Sequence, residues 1–180
     1  CTIMLSLGVI ILSDELDRII QTFFPAPEYI VDLNGLLRPD TLIGFILLFV
    51  AVAIIAPIGE ELLFRGFFQQ ALEKHWKDVT RAILITALLF SMIHMNPYWF
   101  AQIYILGVLL GFIAWKTQSV FPALILHGMN NSMAMLFAFV DLEENNFYIW
   151  GSHVAPWIIL FAIFSSYYGF KGINQIKTKP

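Results

Sequence analysis

The stretch Gly59-Glu60-Glu61-Leu62-Leu63-Phe64-Arg65-Gly66 puts two carboxylates and a guanidinium into a run that is otherwise apolar from Leu42 to Phe68. Solvation opposes such an arrangement. A charge at membrane depth costs several kcal/mol, so ionisable side chains there face one another or a cavity and mark function by default. Any fold open to this chain has to bury or pair these three groups, and the rest of the sequence is read around that requirement.

The surroundings set the class. Of 180 residues, 59% are hydrophobic and only 13% charged, where an ordinary soluble domain runs nearer a quarter charged. A small soluble domain has too little interior for this much apolar surface, and several apolar runs approach the ~20-residue length that crosses a bilayer. The expected fold is all-α: a polytopic transmembrane helical bundle of about six spans with a polar intramembrane cavity, in a single domain over residues 1–180. The net charge of −3 is small and no basic patch with interleaved aromatics is present, so the expected partner is the lipid bilayer and not nucleic acid. The single cysteine, Cys1, excludes an internal disulfide framework and a thiolate metal cluster. The chain begins at Cys1 without an initiator Met and enters an apolar run at once; it is expected to belong to a longer chain, and the span count is a minimum.

Residues 1–13 are apolar but too short to cross at ~1.5 Å per residue. Residues 14–40 are polar and interrupted by Pro25, Pro27 and Pro39, which predicts an extramembrane connection with a short interfacial helix over Leu16 to Phe24. A helix is then expected from Thr41 to near Lys74, kinked or broken at Pro57. Further spans are expected at Val79–Met95, Tyr98–Trp115, Val120–Val140 and His153–Phe170, with short turns at Asn96-Pro97 and Thr117-Gln118-Ser119 that make neighbours antiparallel. Alternating spans collect Lys74, Lys77, Arg81, Lys116, Lys171, Lys177 and Lys179 on one side, and Arg18 and Arg38 on the other with Asp141, Glu143 and Glu144. The positive-inside tendency then makes the protein an integral, multi-pass one with a cytoplasmic C-terminal tail. Trp76, Tyr98, Trp99, Trp115, Tyr148, Trp150 and Trp157 fall near span ends, as interface anchors do.

Helical spacing divides the polar cluster. Positions four apart share a face and adjacent positions point ~100° apart, so Glu61 and Arg65 can pair while Glu60 projects elsewhere with no charged partner in its own helix. A lone carboxylate of this kind has the profile of a general base. His127 and Asn131 are also four apart and present hydrogen-bond donors in one direction, which suits a developing oxyanion. Phe90 and His94 share that spacing, so Phe90 can pack beneath the imidazole. Measured from the cytoplasmic ends of their spans, Glu60 and His94 lie about 20 Å deep and His127 about 10 Å deep; convergence calls for a tilt or for a helix that begins beyond Val120.

Three motifs occur in order: Glu60-Glu61-Leu62-Leu63-Phe64-Arg65 as EExxxR, Phe90-Ser91-Met92-Ile93-His94 as FxxxH, and His127-Gly128-Met129-Asn130-Asn131 as HxxxN. Together they resemble the CAAX prenyl protease and bacteriocin-processing family of intramembrane endopeptidases, also called the Abi family. The resemblance covers Gly59 to Asn131. It implies hydrolysis of a peptide bond within the membrane boundary, in a membrane-associated peptide or protein, prenylated in some branches and linked to bacteriocin maturation or self-immunity in others. It also implies that Glu60 and His94 activate a water, that His127 and Asn131 hold the oxyanion, and that Glu61, Arg65 and Phe90 support the site. No cofactor is expected; the runner-up is zinc hydrolysis with Glu60, His94 and His127 as ligands. Two other classes compete: a proton- or ion-coupled transporter using Glu60 and the histidines as a relay, and a catalytically idle bacteriocin-immunity or scaffold protein.

Overall fold

Among the residues described by the computed structural model, 1–28, 39–139 and 147–176, the apolar runs form helices α1 (Thr2–Phe23), α2 (Leu42–Trp76), α3 (Val79–Ile93), α4 (Phe100–Thr117), α5 (Phe121–Phe139) and α6 (Pro156–Asn174). A two-strand hairpin, β1 (Ile149–Trp150) and β2 (His153–Val154), precedes α6 in antiparallel register with Ile149 opposite Val154. Gly151, at φ +64°, makes its turn, a conformation that favours glycine. Arg38, Asp141, Glu143, Glu144, Lys177 and Lys179, which enter the orientation argument, and the end of the span expected at Val140 lie outside the described residues.

Helix α2 is long and apolar enough to cross a bilayer at 35 residues, and so is α4 at 18; α3 is apolar but shorter. Thr41 caps α2 by accepting from Gly44 N at 3.1 Å, and Asp78 caps α3 by accepting from Arg81 N at 3.0 Å. Lys77 and Gln118, both in the left-handed region, end α2 and α4 and reverse the chain. Two expectations shift. Helix α1 runs unbroken through the residues expected to form a separate interfacial helix, because Asp14 with Arg18 and Asp17 with Gln21 pair one turn apart along it. Pro57 does not break α2. The helix continues past it by changing register, with π-helical stretches at Val50–Ile55 and Leu62–Phe68 around an α-helical Ala56–Glu61.

The buried core joins Leu5 of α1, Leu110, Ile113 and Ala114 of α4, Ala123 and Leu126 of α5, and Ile173 of α6. Outward-facing Leu42, Ile43, Leu47, Ile55, Leu62 and Phe67 of α2 are more than half exposed, the pattern of a helix whose solvent is lipid. At one end a polar girdle ties the elements together. Glu15 accepts from Val154 N at 2.7 Å and meets His153 Nδ1 at 2.9 Å, and Tyr148 donates to Asp14 at 3.0 Å. Burial first, then the neighbouring Asp14, push the Tyr148 hydroxyl above its ordinary value and keep it a donor. Trp99 and Gln102 of α4 both donate to Asp17, at 3.1 and 3.2 Å.

Antiparallel α1 and α6 approach closely through small residues. A Cβ on Gly169 would lie 2.7 Å from Leu5 Cα, backbone that has no room to give, and Ser165 Oγ donates to Met4 O at 2.7 Å. Close backbone approach of this kind drives helix association in lipid. Gly59, in contrast, faces open space. Gly169→Ala is therefore expected to lower stability by about 1–3 kcal/mol through overpacking, and Gly59→Ala to leave it unchanged or raise it by about 0.5–1 kcal/mol. Unfolding of both variants in detergent is the measurement; equal effects would contradict the packing described.

Candidate active site

The cluster that opens the sequence is resolved by three helices. Arg65, 1% exposed, donates through Nη1 to Glu61 Oε1 at 2.6 Å and through Nη2 to Gly107 O of α4 at 3.0 Å. The carbonyl is reachable because α4 presses against α3 there: a Cβ on Gly107 would sit 3.1 Å from Ala87 Cβ. The guanidinium also lies over the Phe90 ring, 4.5 Å from its centroid. Glu61, likewise 1% exposed, uses the same Oε1 to meet His127 Nδ1 of α5 at 2.8 Å. A carboxylate that also accepts from Arg65 takes the imidazole's proton as acceptor, so His127 donates from Nδ1 and turns Nε2 the other way. That Nε2 lies 3.7 Å from Glu60 Oε2.

Adjacent in sequence, Glu60 and Glu61 occupy different environments. The Glu60 side chain is 28% exposed and makes no hydrogen bond among the described residues, whereas Glu61 is enclosed and holds two partners. His94 stands at the C-terminal end of α3. Its Nδ1 lies 2.7 Å from Phe90 O; a carbonyl only accepts, so Nδ1 carries a proton and Nε2 is the nitrogen left for other partners. Asn131 donates from Nδ2 to Val52 O at 3.0 Å, into the first π-helical stretch of α2.

Phe90 gathers these groups. Its ring meets the edges of Phe64, His94 and His127, with centroids 5.3, 4.7 and 5.6 Å apart. The structure thus brings Glu60, Glu61, Arg65, Phe90 and His127 together in contact, with His94 joined through Phe90. Glu60 and His94, paired in the sequence reading, share no hydrogen bond or ion pair among the described residues; the histidine beside Glu60 is His127. Nor, among the described residues, do three His, Cys, Asp or Glu side chains converge there as a metal-binding set. His127 lies beside Glu60 although α5 begins at Phe121, close to where the sequence starts it.

Gln69 escaped the sequence reading. Nearly fully buried, it donates to Gly111 O of α4 at 3.0 Å and to Glu73 at 2.8 Å. Arg65 and Gln69, four apart on α2, thus each grip a glycine carbonyl on α4, at Gly107 and Gly111, also four apart. The signal was present as matched spacings on two helices, but only their contact gives it meaning. A cavity of about 240 Å³ opens below this ladder, lined by Arg65, Gln69, Gln70, Glu73, Trp115 and Gln118 among others. None of Glu60, His94, His127 or Asn131 lines it.

The model of the family described as type II CAAX prenyl endopeptidase Rce1-like matches residues 42–133, just over half the chain and the stretch that contains all seven side chains of the three motifs. UPF0177 protein YbdI of Lactococcus lactis subsp. lactis (strain IL1403) is 28% identical over 117 residues, 64% of this chain, and the chain spans 62% of that protein's length. No solved structure matches. Two helices able to cross a bilayer fit a helical membrane protein, and by the match over residues 42–133 the chain belongs to the type II CAAX prenyl endopeptidase Rce1-like family.

Proposed function

We propose that this protein is an intramembrane endopeptidase that hydrolyses a peptide bond in a membrane-associated peptide or protein, near a C-terminus that carries a prenylated cysteine. One observation carries the reading: a single ring, Phe90, seats both His94 and His127, while Glu60, a carboxylate with no hydrogen bond among the described residues, lies 3.7 Å from His127 Nε2. Supporting it, the family match spans every one of these residues.

In the proposed reaction Glu60 takes one proton from water and His94 Nε2 accepts the other hydrogen, which orients the oxygen toward the scissile carbonyl carbon. As the new C–O bond forms, the carbonyl oxygen becomes an oxyanion. It is met by Nε2–H of doubly protonated His127 and by the second amide hydrogen of Asn131. The C–N bond then breaks and Glu60 passes its proton to the leaving amine, so the enzyme is restored. Glu61 and Arg65 take no proton; they hold His127 in place. The chain is taken to be multi-pass, with Lys74, Lys77, Arg81, Lys116 and Lys171 at the cytoplasmic side together with the C-terminal tail. No metal is required in this scheme.

The full chain in vesicles, given a fluorescence-quenched peptide ending in a prenylated cysteine and three further residues, is the test. Glu60→Gln and His94→Ala are each expected to lower cleavage at least ~10²-fold at unchanged expression. Retained cleavage in both ends the water-activation assignment. Metal-stripped protein is expected to keep its activity, and recovery only on adding stoichiometric zinc would assign Glu60, His94 and His127 as ligands instead. A cellular immunity phenotype that survives Glu60→Gln would mark an idle scaffold, and Glu60-dependent proton flux without cleavage a transporter.

The two adjacent glutamates are also expected to differ in stability. Glu61→Gln leaves Arg65 as an uncompensated buried charge and is expected to cost about 3–5 kcal/mol, whereas Glu60→Gln stays within about 0.5 kcal/mol. Thermal or denaturant unfolding in detergent distinguishes them, and equal losses would remove the division of roles between the two carboxylates.

A further inference from the structure

Helix α2 changes register just before the acidic pair. In the stretch Val50–Ile55 the chain is π-helical, and the amide of Ala56 donates to Ala51 O, five residues back. Carried one residue further, that register assigns Val52 O to the amide of residue 57. Residue 57 is Pro, which has no N–H. The Val52 carbonyl is therefore left without the donor its register would supply, and an unmet carbonyl in a packed helix is costly. The amide of Asn131, on α5, fills that place at 3.0 Å. Gly128, one turn earlier on α5, makes the approach possible: a Cβ there would sit only 3.0 Å from Ala53 O.

We propose that Pro57 is a positioning residue for Asn131. By withholding a helical donor from Val52 O, it hands that carbonyl to the Asn131 side chain and fixes the amide plane. One Nδ2 hydrogen is committed to the carbonyl, and the other, with its direction set by the planar amide, has no partner among the described residues. The proline acts through a bond it cannot make and touches no substrate. The catalytic consequence rests on the endopeptidase reading, but the anchor itself does not.

The test uses the full chain labelled with ¹⁵N-asparagine in lipid nanodiscs, the Asn131 side-chain signal being assigned by its loss in Asn131→Ala. In the wild-type protein one of the two Asn131 amide protons is expected to exchange with solvent about five- to tenfold more slowly than in Pro57→Ala. Pro57→Ala supplies the missing N–H to Val52 O, and because alanine favours the helix its thermal midpoint should not fall. Gly128→Ala, with Pro57 intact, pushes α5 away and should speed the same proton, so the test does not depend on one variant folding. In the cleavage assay Pro57→Ala is expected to reduce kcat about tenfold with KM unchanged, the loss of one transition-state donor. It should add nothing in an Asn131→Ala background. Unchanged exchange in Pro57→Ala overturns the proposal whatever Gly128→Ala shows, and unchanged exchange in Gly128→Ala overturns the anchor on which it rests. Faster exchange with unaltered turnover upholds the anchor and overturns the oxyanion role of Asn131 instead.

Discussion

One carboxylate oxygen, Glu61 Oε1, receives Arg65 at 2.6 Å and His127 at 2.8 Å, and the arrangement of α2, α4 and α5 depends on that double contact. A lone ion at this depth would cost several kcal/mol, and pairing repays the cost only when the remaining donors are met as well. Arg65 meets most of the condition by spending Nη2 on Gly107 O and its face on Phe90, while its Nε has no hydrogen-bond partner among the described residues. The guanidinium can do all three things because its donors are spread across a plane, which a lysine ammonium would not allow. Seen this way, Glu61 and Arg65 are more than a detached ion pair. Through Glu61 they hold a proton on Nδ1 of His127 and so turn Nε2 toward Glu60.

The ladder on α4 extends the same logic one turn down. Gln69 grips Gly111 O as Arg65 grips Gly107 O, so two side chains fix the rotation of α4 against α2. Polar contacts between helices have unusual leverage in lipid, where apolar faces discriminate poorly between neighbours. The register of α4 then determines where its carbonyls stand, and that is what keeps the guanidinium under Glu61.

Some of this was legible in the sequence and some was not. The spacing of Glu61 and Arg65 announces a shared face, and the apolar runs at Leu42–Trp76 and Phe100–Thr117 announce long helices, because both are local properties of a helix. The contact of His127 with Glu61 joins residues 66 positions apart, and no local spacing encodes it. Depth counted at a constant rise set His127 apart from Glu60, yet they lie 3.7 Å apart. That count treats helices as straight and upright, while α2 carries two π-helical stretches. Pro57 invited the expectation of a kink. The missing N–H is local to Pro57, but what meets the carbonyl it leaves depends on α5, whose Asn131 donates to Val52 O.

The contrast between Glu60 and Glu61 carries the last step. Both are the same residue type, one position apart, yet protonating Glu61 would weaken two bonds that hold three helices together. Glu60 has no hydrogen bond to lose among the described residues, and part of its surface is open. A group that exchanges protons in every turnover has to do so without dismantling the scaffold, and only one of the two carboxylates meets that condition. The fold has divided an apparently redundant pair into a carboxylate locked between Arg65 and His127 Nδ1 and one that faces the far nitrogen of the same imidazole without a hydrogen bond among the described residues, and the division follows from helical geometry, in which neighbours point ~100° apart.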